Sequence, residues 1–233
     1  MTVDSVNRLP LLVEEEVQIV LEEASTHFEP ICMSFSTCDM VIIENYGYNM
    51  LDDDLRAKEA GVVFGLPRRI NLFFVKKIFG NDCGFSNRNG FFTEKEAHIF
   101  IELGCTDSPS VQLAHHMGHL LGLLPTNFGQ ANELVDGSNC EIAGDQICDT
   151  PADPFGMIRD DNEAWKLYET GIDERPIYLR DCEFVWETKD NNGDFYMPHT
   201  SNFMSPYPCK CEFTFEQYLK MVDNFNASPI KQY

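Results

Sequence analysis

The sequence predicts a mixed α+β or α/β protein in which a mostly parallel sheet leads into a histidine-bearing helix and a loop-rich second half follows. Three observations carry that expectation. Ile70 to Ile78, INLFFVKKI, is a nearly continuous apolar run, the pattern of a strand covered on both faces, and Ala97 to Leu103, AHIFIEL, is a second strand. Val111 to Asn127, VQLAHHMGHLLGLLPTN, then carries the histidine-bearing helix, with Ser108 or Ser110 as its cap and Gly122 where a C′ glycine would end it. After Pro125 the composition turns to Gly, Asn, Asp, Cys and Pro, and hydrophobic periodicity fades until Phe213. Strands alternating with helices therefore place one lobe over residues 1–124, and a loop-rich lobe follows over 125–233.

The remaining elements follow from local pattern. Glu14 to Phe28 repeats apolar residues at helical spacing (Val17, Val20, Leu21, Ala24, Phe28), with acids on the other face, and Pro30 stops it. Ile31 to Ile43 is rich in β-branched residues and is expected to form one or two strands. Asn45 to Gly61 is polar and acidic, a surface segment. Gly80 to Gly90 is a loop with a short edge strand reaching Phe91 and Phe92. Thr214 to Phe225 is a last helix with Phe215, Leu219, Met221 and Val222 as its apolar stripe.

Composition narrows the function. A formal charge of −21 leaves no excess of Lys and Arg to displace counterions from phosphates, which argues against nucleic acid as a partner. No apolar run reaches the roughly 18–20 residues of a membrane span. Nine cysteines, crowded into the second half, suit a disulfide-bearing extracellular or other extracytoplasmic protein, and the odd count leaves at least one thiol unpaired in a monomer. The start, MTVDSVNRLPLLVEEE, shows no basic n-region with an apolar h-region, so no signal peptide is read there. Asn226-Ala227-Ser228 fits the glycosylation triplet.

The chemistry centres on LAHHMGHLLGL. His115 and His119 are four apart, so a helix projects both imidazoles from one face, where they can converge on one metal ion; His116 points about 100° away. The pair is half of the H-E-x-x-H zinc device, and the longer pattern H-E-x-x-H-x-x-G-x-x-H matches at His115, His119 and Gly122 while failing at His116 and Pro125. Taken alone, the stretch reads equally as a buried amphipathic helix with satisfied core histidines.

With the strands INLFFVKKI and HIFIEL, the segment DQICDTP from Asp145 to Pro151, and Asn202-Phe203-Met204-Ser205, the chain resembles the pappalysin branch of the metzincin metallopeptidases, from about Val17 to Phe225. The resemblance implies a metzincin-like (zincin) fold, with Met204 as the Met-turn methionine below His115 and His119. It also implies a calcium-binding loop that includes Asp145 and Thr150, for which an Asx-type turn built on Asp145 and Asp149 is the plain alternative. It suggests a Cys140–Cys182 disulfide, and Cys209 bonded to another second-lobe cysteine. Three departures fall on chemistry. His116 replaces the general-base Glu, Pro125 replaces the third zinc His, and Pro206 replaces the Tyr two past the Met, with Tyr207 one place late.

A catalytic zinc takes three protein ligands, and proline offers no donor, so zinc is expected to be weak or absent unless His116 or His199 completes the set. The expected function is a pseudopeptidase that binds a peptide or protein in its cleft without cutting it. An active zinc metalloendopeptidase with an altered zinc shell is the alternative, and a purely structural secreted domain is a third reading.

Overall fold

The computed structural model of the chain describes residues 10–51, 54–67, 69–79, 83–86, 97–129, 133–155, 179–185 and 187–228. It contains both helices and small sheets, an α+β arrangement with three disulfides. The chain divides into two compact units, Met1–Gly122 with Lys220–Tyr233, and Leu123–Leu219.

In the first unit, α1 (Glu14–Thr26) buries Val17, Val20, Leu21 and Ala24, the stripe read from its spacing. The run INLFFVKKI breaks at Lys76 into β2 (Asn71–Val75) and β3 (Lys77–Ile78), and β3 pairs in parallel with β1 (Met50–Leu51). The main sheet has the order β2-β5-β4, where β4 is Gly84–Ser86 and β5 is His98–Glu102. β2 and β5 run parallel from Asn71↔His98 to Val75↔Glu102, and β4 lies antiparallel on the other side of β5. Every residue of β5 is buried, as its central place requires. Phe73 stacks on Phe100 at 4.5 Å and joins Val75, Ile78, Leu51 and Ala60 in one core. Glu102, at the end of β5, accepts Lys77 Nζ at 2.9 Å and the Ile78 amide at 2.8 Å, which fixes β3 against the sheet.

Several expectations need correction. Residues 45–61 are not all surface loop, because α2 (Asp54–Phe64) begins within them. Its inward face is Ala57 and Ala60, while Leu55, Val62 and Val63 face solvent, so no large-residue stripe marks it in the sequence. Small residues are needed there: a Cβ at Gly61 would lie 2.6 Å from the His98 ring. Ile31 to Ile43 forms no strand, only an isolated bridge at Ile43; its side chains alternate between half-buried and exposed, as in extended backbone, without a paired ladder. The predicted continuation of the edge strand to Phe91 and Phe92 lies outside the described residues.

The described part of the second unit is loop-rich and contains a two-stranded ribbon, β6 (Leu179–Arg180) and β7 (Glu183–Phe184). Cys140 bonds to Cys148, not to Cys182; Cys182 bonds to Cys209, so the second-lobe partner expected for Cys209 is Cys182. The Asp145 turn between Cys140 and Cys148 folds the chain back within eight residues, and that brings the nearer cysteine into reach. A third bond, Cys83–Cys105, staples the first unit beside β4 and β5, so the disulfides are not confined to the second. Cys32, Cys38 and Cys211 are free and exposed. The last helix, α4 (Phe215–Ala227), buries Gln217 and Met221 and leaves Phe215 and Leu219 exposed, which shifts its apolar face from the predicted one. Gln217 is inward because its amide exchanges hydrogen bonds with Asn202.

Candidate functional site

The histidine helix, α3 (Pro109–Leu120), starts where the sequence says it should. Ser108 is the N-cap and accepts the Val111 amide, and Pro109 occupies the first turn, where its missing N–H costs nothing. Gln112 Nε2 donates to the carbonyls of Glu102 and Asp107, tying that turn to the end of β5. At the other end Gly122 adopts φ +89°, the left-handed C′ conformation glycine permits, and its N–H reaches His119 O at 3.0 Å. Asn224 of α4 donates Nδ2 to the carbonyl of Leu121 at 2.7 Å.

So anchored, α3 brings three imidazoles together. The rings of His115 and His119 are 4.6 Å apart and edge to face, as the i, i+4 spacing predicts. His116 is 4.9 Å from His115 and 6.2 Å from His119, and it turns to the sheet edge. Its Nδ1 lies 3.2 Å from Ser86 Oγ, and its ring covers Gly84 so closely that a Cβ there would meet Nε2. His116 is thus held by β4.

Among the described residues, strand β4 is the outer strand of its sheet. The Glu102 amide donates to Cys83 O at 2.8 Å, so Cys83 and, by antiparallel alternation, Phe85 direct their main-chain groups to β5. Gly84 and Ser86 turn theirs to the outer edge. An extended chain can add to such an edge by main-chain hydrogen bonds.

In the second unit, Asp145 and Thr150 come together: Thr150 Oγ1 donates to Asp145 Oδ1 at 2.7 Å, and the Ile147 amide donates to the same oxygen at 3.0 Å. This is the Asx-type turn, but Asp149 is not part of it; Asp149 Oδ2 accepts the Glu216 amide at the start of α4. Two further acids belong to the region and were not singled out from sequence. Glu133 is 3% exposed, and its carboxylate lies against Gly144. Asp153, 2% exposed, accepts Thr126 Oγ1 at 2.6 Å, Tyr207 OH at 2.9 Å and the Phe155 amide at 2.9 Å. No spacing separates these two from the chain's other acidic residues.

Burial, and then the negative charges of Asp145 and Asp153, push the Glu133 carboxyl up to about 8. An acid whose folded value exceeds its ordinary 4.5 keeps its stabilising contribution below 4.5 and loses it as pH rises toward 8. Urea unfolding of calcium-free protein is therefore expected to show stability falling from about pH 4.5 to about pH 8, with a shallower fall in a Glu133→Gln variant, where the raised Asp153 carboxyl still contributes. A wild-type curve no steeper than the variant's would contradict the assignment.

Met204 is fully buried in a turn whose amide is received by Asn202 Oδ1, and its carbonyl accepts the Thr126 amide. Tyr207 is a core side chain bonded to Asp153 and packed on Phe155 and Phe184. His199 Nε2 lies 2.9 Å from Glu212 Oε1 at the surface. Among the described residues no group of three or more His, Cys, Asp or Glu is arranged to hold a metal ion. No helix among them is long and apolar enough to cross a membrane. Three disulfides fit an extracellular protein.

No protein-family model matches the chain, and no curated protein matches it.

Proposed function

We propose that this chain is a pappalysin-like metzincin scaffold that has lost peptidase chemistry and binds an extended peptide or protein segment without cutting it. The observation that carries the reading is the outward edge of β4 beside His116 of α3, where a peptide can pair with Gly84 and Ser86. The donor set does not fit a catalytic zinc. His115 and His119 supply two imidazoles where three protein ligands are needed; His116 is engaged by Ser86, His199 by Glu212, and Pro125 has no donor. The missing base is a separate loss, since general-base catalysis is worth roughly 10²–10⁴-fold.

Asp145 and Thr150 are the oxygen donors that the resemblance implies for calcium; Glu133 and Asp153 bear on them electrostatically, although no three acids among the described residues are arranged to hold a metal ion. The negative charges of Asp145 and Asp153 act on Glu133, and a divalent cation would relieve that repulsion, while Thr150 would have to give up its hydrogen bond to Asp145. Saturating calcium is expected to flatten the pH dependence of wild-type stability described above, by favouring the ionised Glu133 in the folded state.

Peptides retained from a digest of denatured protein provide the test of the edge. For the best-retained peptide, Ser86→Pro is expected to weaken binding about tenfold, because the outward N–H is lost and a backbone hydrogen bond contributes about 0.5–1.5 kcal/mol. Ser86→Ala, which keeps the backbone, should bind within about threefold of wild type, since only the hydroxyl contact with His116 goes. Equal binding by Ser86→Pro and wild type, with both folded by circular dichroism, would remove β4 from the account.

A further inference from the structure

The same unit contains a hollow of about 530 Å³ that the peptide edge does not use. Its walls include Leu21 of α1, Phe64 of α2, Leu72 of β2, Leu113 and Met117 of α3, and Phe225 of α4. Its volume is that of a small-molecule site, which typically spans about 300–1,000 Å³ and is mostly apolar with a few placed polar groups. The helix α3 thus serves two surfaces, with His116 toward β4 and Leu113 with Met117 toward the hollow.

One wall is the extended segment through residues 34–43, the stretch that carries strand-like alternation without a ladder. Exposed Val41 and Leu66 also line the hollow, so the apolar surface continues outward to solvent. Two charged side chains stand among the lining residues, Arg69 and Asp39, and both are exposed. Asp39 turns Oδ1 to the following amide, that of Met40, at 2.8 Å. Arg69 donates Nη1 to Cys38 Sγ at 2.8 Å and has no carboxylate partner among the described residues. In a chain of 38 acids and 17 bases, a guanidinium with no acid on it, at the rim of an apolar hollow, is a distinctive pairing. Guanidinium is the side chain best shaped to take a carboxylate by two parallel hydrogen bonds.

We infer that the hollow takes a monomeric fatty acid, its alkyl chain between α1, β2 and α3 and its carboxylate on Arg69. The alkyl chain gains by leaving water for apolar walls, and the carboxylate stays at the solvent-open rim, where it avoids the cost of burying a charge. The inference stands apart from peptide binding at β4 and survives if that reading fails.

The test uses the full chain and dodecanoate, followed by displacement of a fluorescent fatty acid below the micellar concentration. Saturable binding at one site per chain is expected. Arg69→Gln, an exposed substitution, should weaken dodecanoate about tenfold while leaving dodecanol unchanged, since a hydrogen bond to a charged group contributes more than one to a neutral group. Leu72→Trp, which fills the hollow, should weaken both ligands, and Asp39→Asn should tighten dodecanoate alone. The proposal is overturned if dodecanoate does not saturate, if Arg69→Gln binds it as wild type does, or if the protein binds anionic vesicles and takes up no monomeric fatty acid.

Discussion

Replacing Pro125 by histidine is expected to raise zinc affinity at least 10–100-fold while leaving peptide cleavage undetectable. Loss of even an outer partner of a metal ligand costs about that much affinity, and a third imidazole is a direct ligand. The loop is tethered within the second unit: the Thr126 amide is held by Met204 O, and Pro125 O accepts the Phe128 amide at 2.9 Å. The proline works against the change, because it fixes its own φ and keeps Leu124 out of the helical region, so the loop must relax for the new ring to reach its place. Adding His116→Glu supplies a base but gives up the contact with Ser86. The double variant is expected to cleave slowly at most, with Pro206 still in place of a tyrosine. Zinc affinity is read by competition with a chromogenic chelator; an unchanged affinity in Pro125→His would mean that this position is not the lesion.

Asp153→Ala is expected to destabilise the second unit by about 3–5 kcal/mol, the largest stability effect among the substitutions considered. The carboxylate is nine-tenths or more buried and receives three donors, and removing it strands Tyr207 OH, Thr126 Oγ1 and the Phe155 amide at a cost of about 1–3 kcal/mol each before relaxation. One effect opposes this: burial holds the Asp153 carboxyl above the usual range, and its charge also raises Glu133, so its loss relieves repulsion. Urea unfolding at pH 6 should find Asp153→Asn, which keeps an acceptor oxygen, less harmed than Asp153→Ala. Equal losses for the two would point to charge rather than hydrogen bonding.

How much of this was legible in the sequence depended on whether a residue's neighbours lay near it in the chain. The strands β2 and β5, the cap at Ser108 and the glycine stop at Gly122 are local devices, and each stands where its pattern placed it. The i, i+4 pair His115 and His119 is local too. What the sequence hid depends on distant partners. α2 packs through alanine and glycine because His98, more than thirty residues on, fills the space a larger side chain would need. Gln217 is inward because Asn202 receives it, so α4 turned a different face from the one its apolar residues drew. Glu133 and Asp153 gain their character from burial beside Asp145, and burial of an acid has no local signature. The Cys140–Cys148 bond follows from a turn whose tightness is set by side-chain hydrogen bonds, which spacing alone does not reveal.

The most direct test of binding without cutting is mass spectrometry of the peptides recovered from the protein after incubation with a denatured-protein digest in the presence of added zinc. Intact peptides, bound by wild type and weakened in Ser86→Pro, are the predicted result. Recovery of cleaved peptides whose cleavage disappears in His119→Ala would contradict the account and establish an active peptidase with a different third ligand.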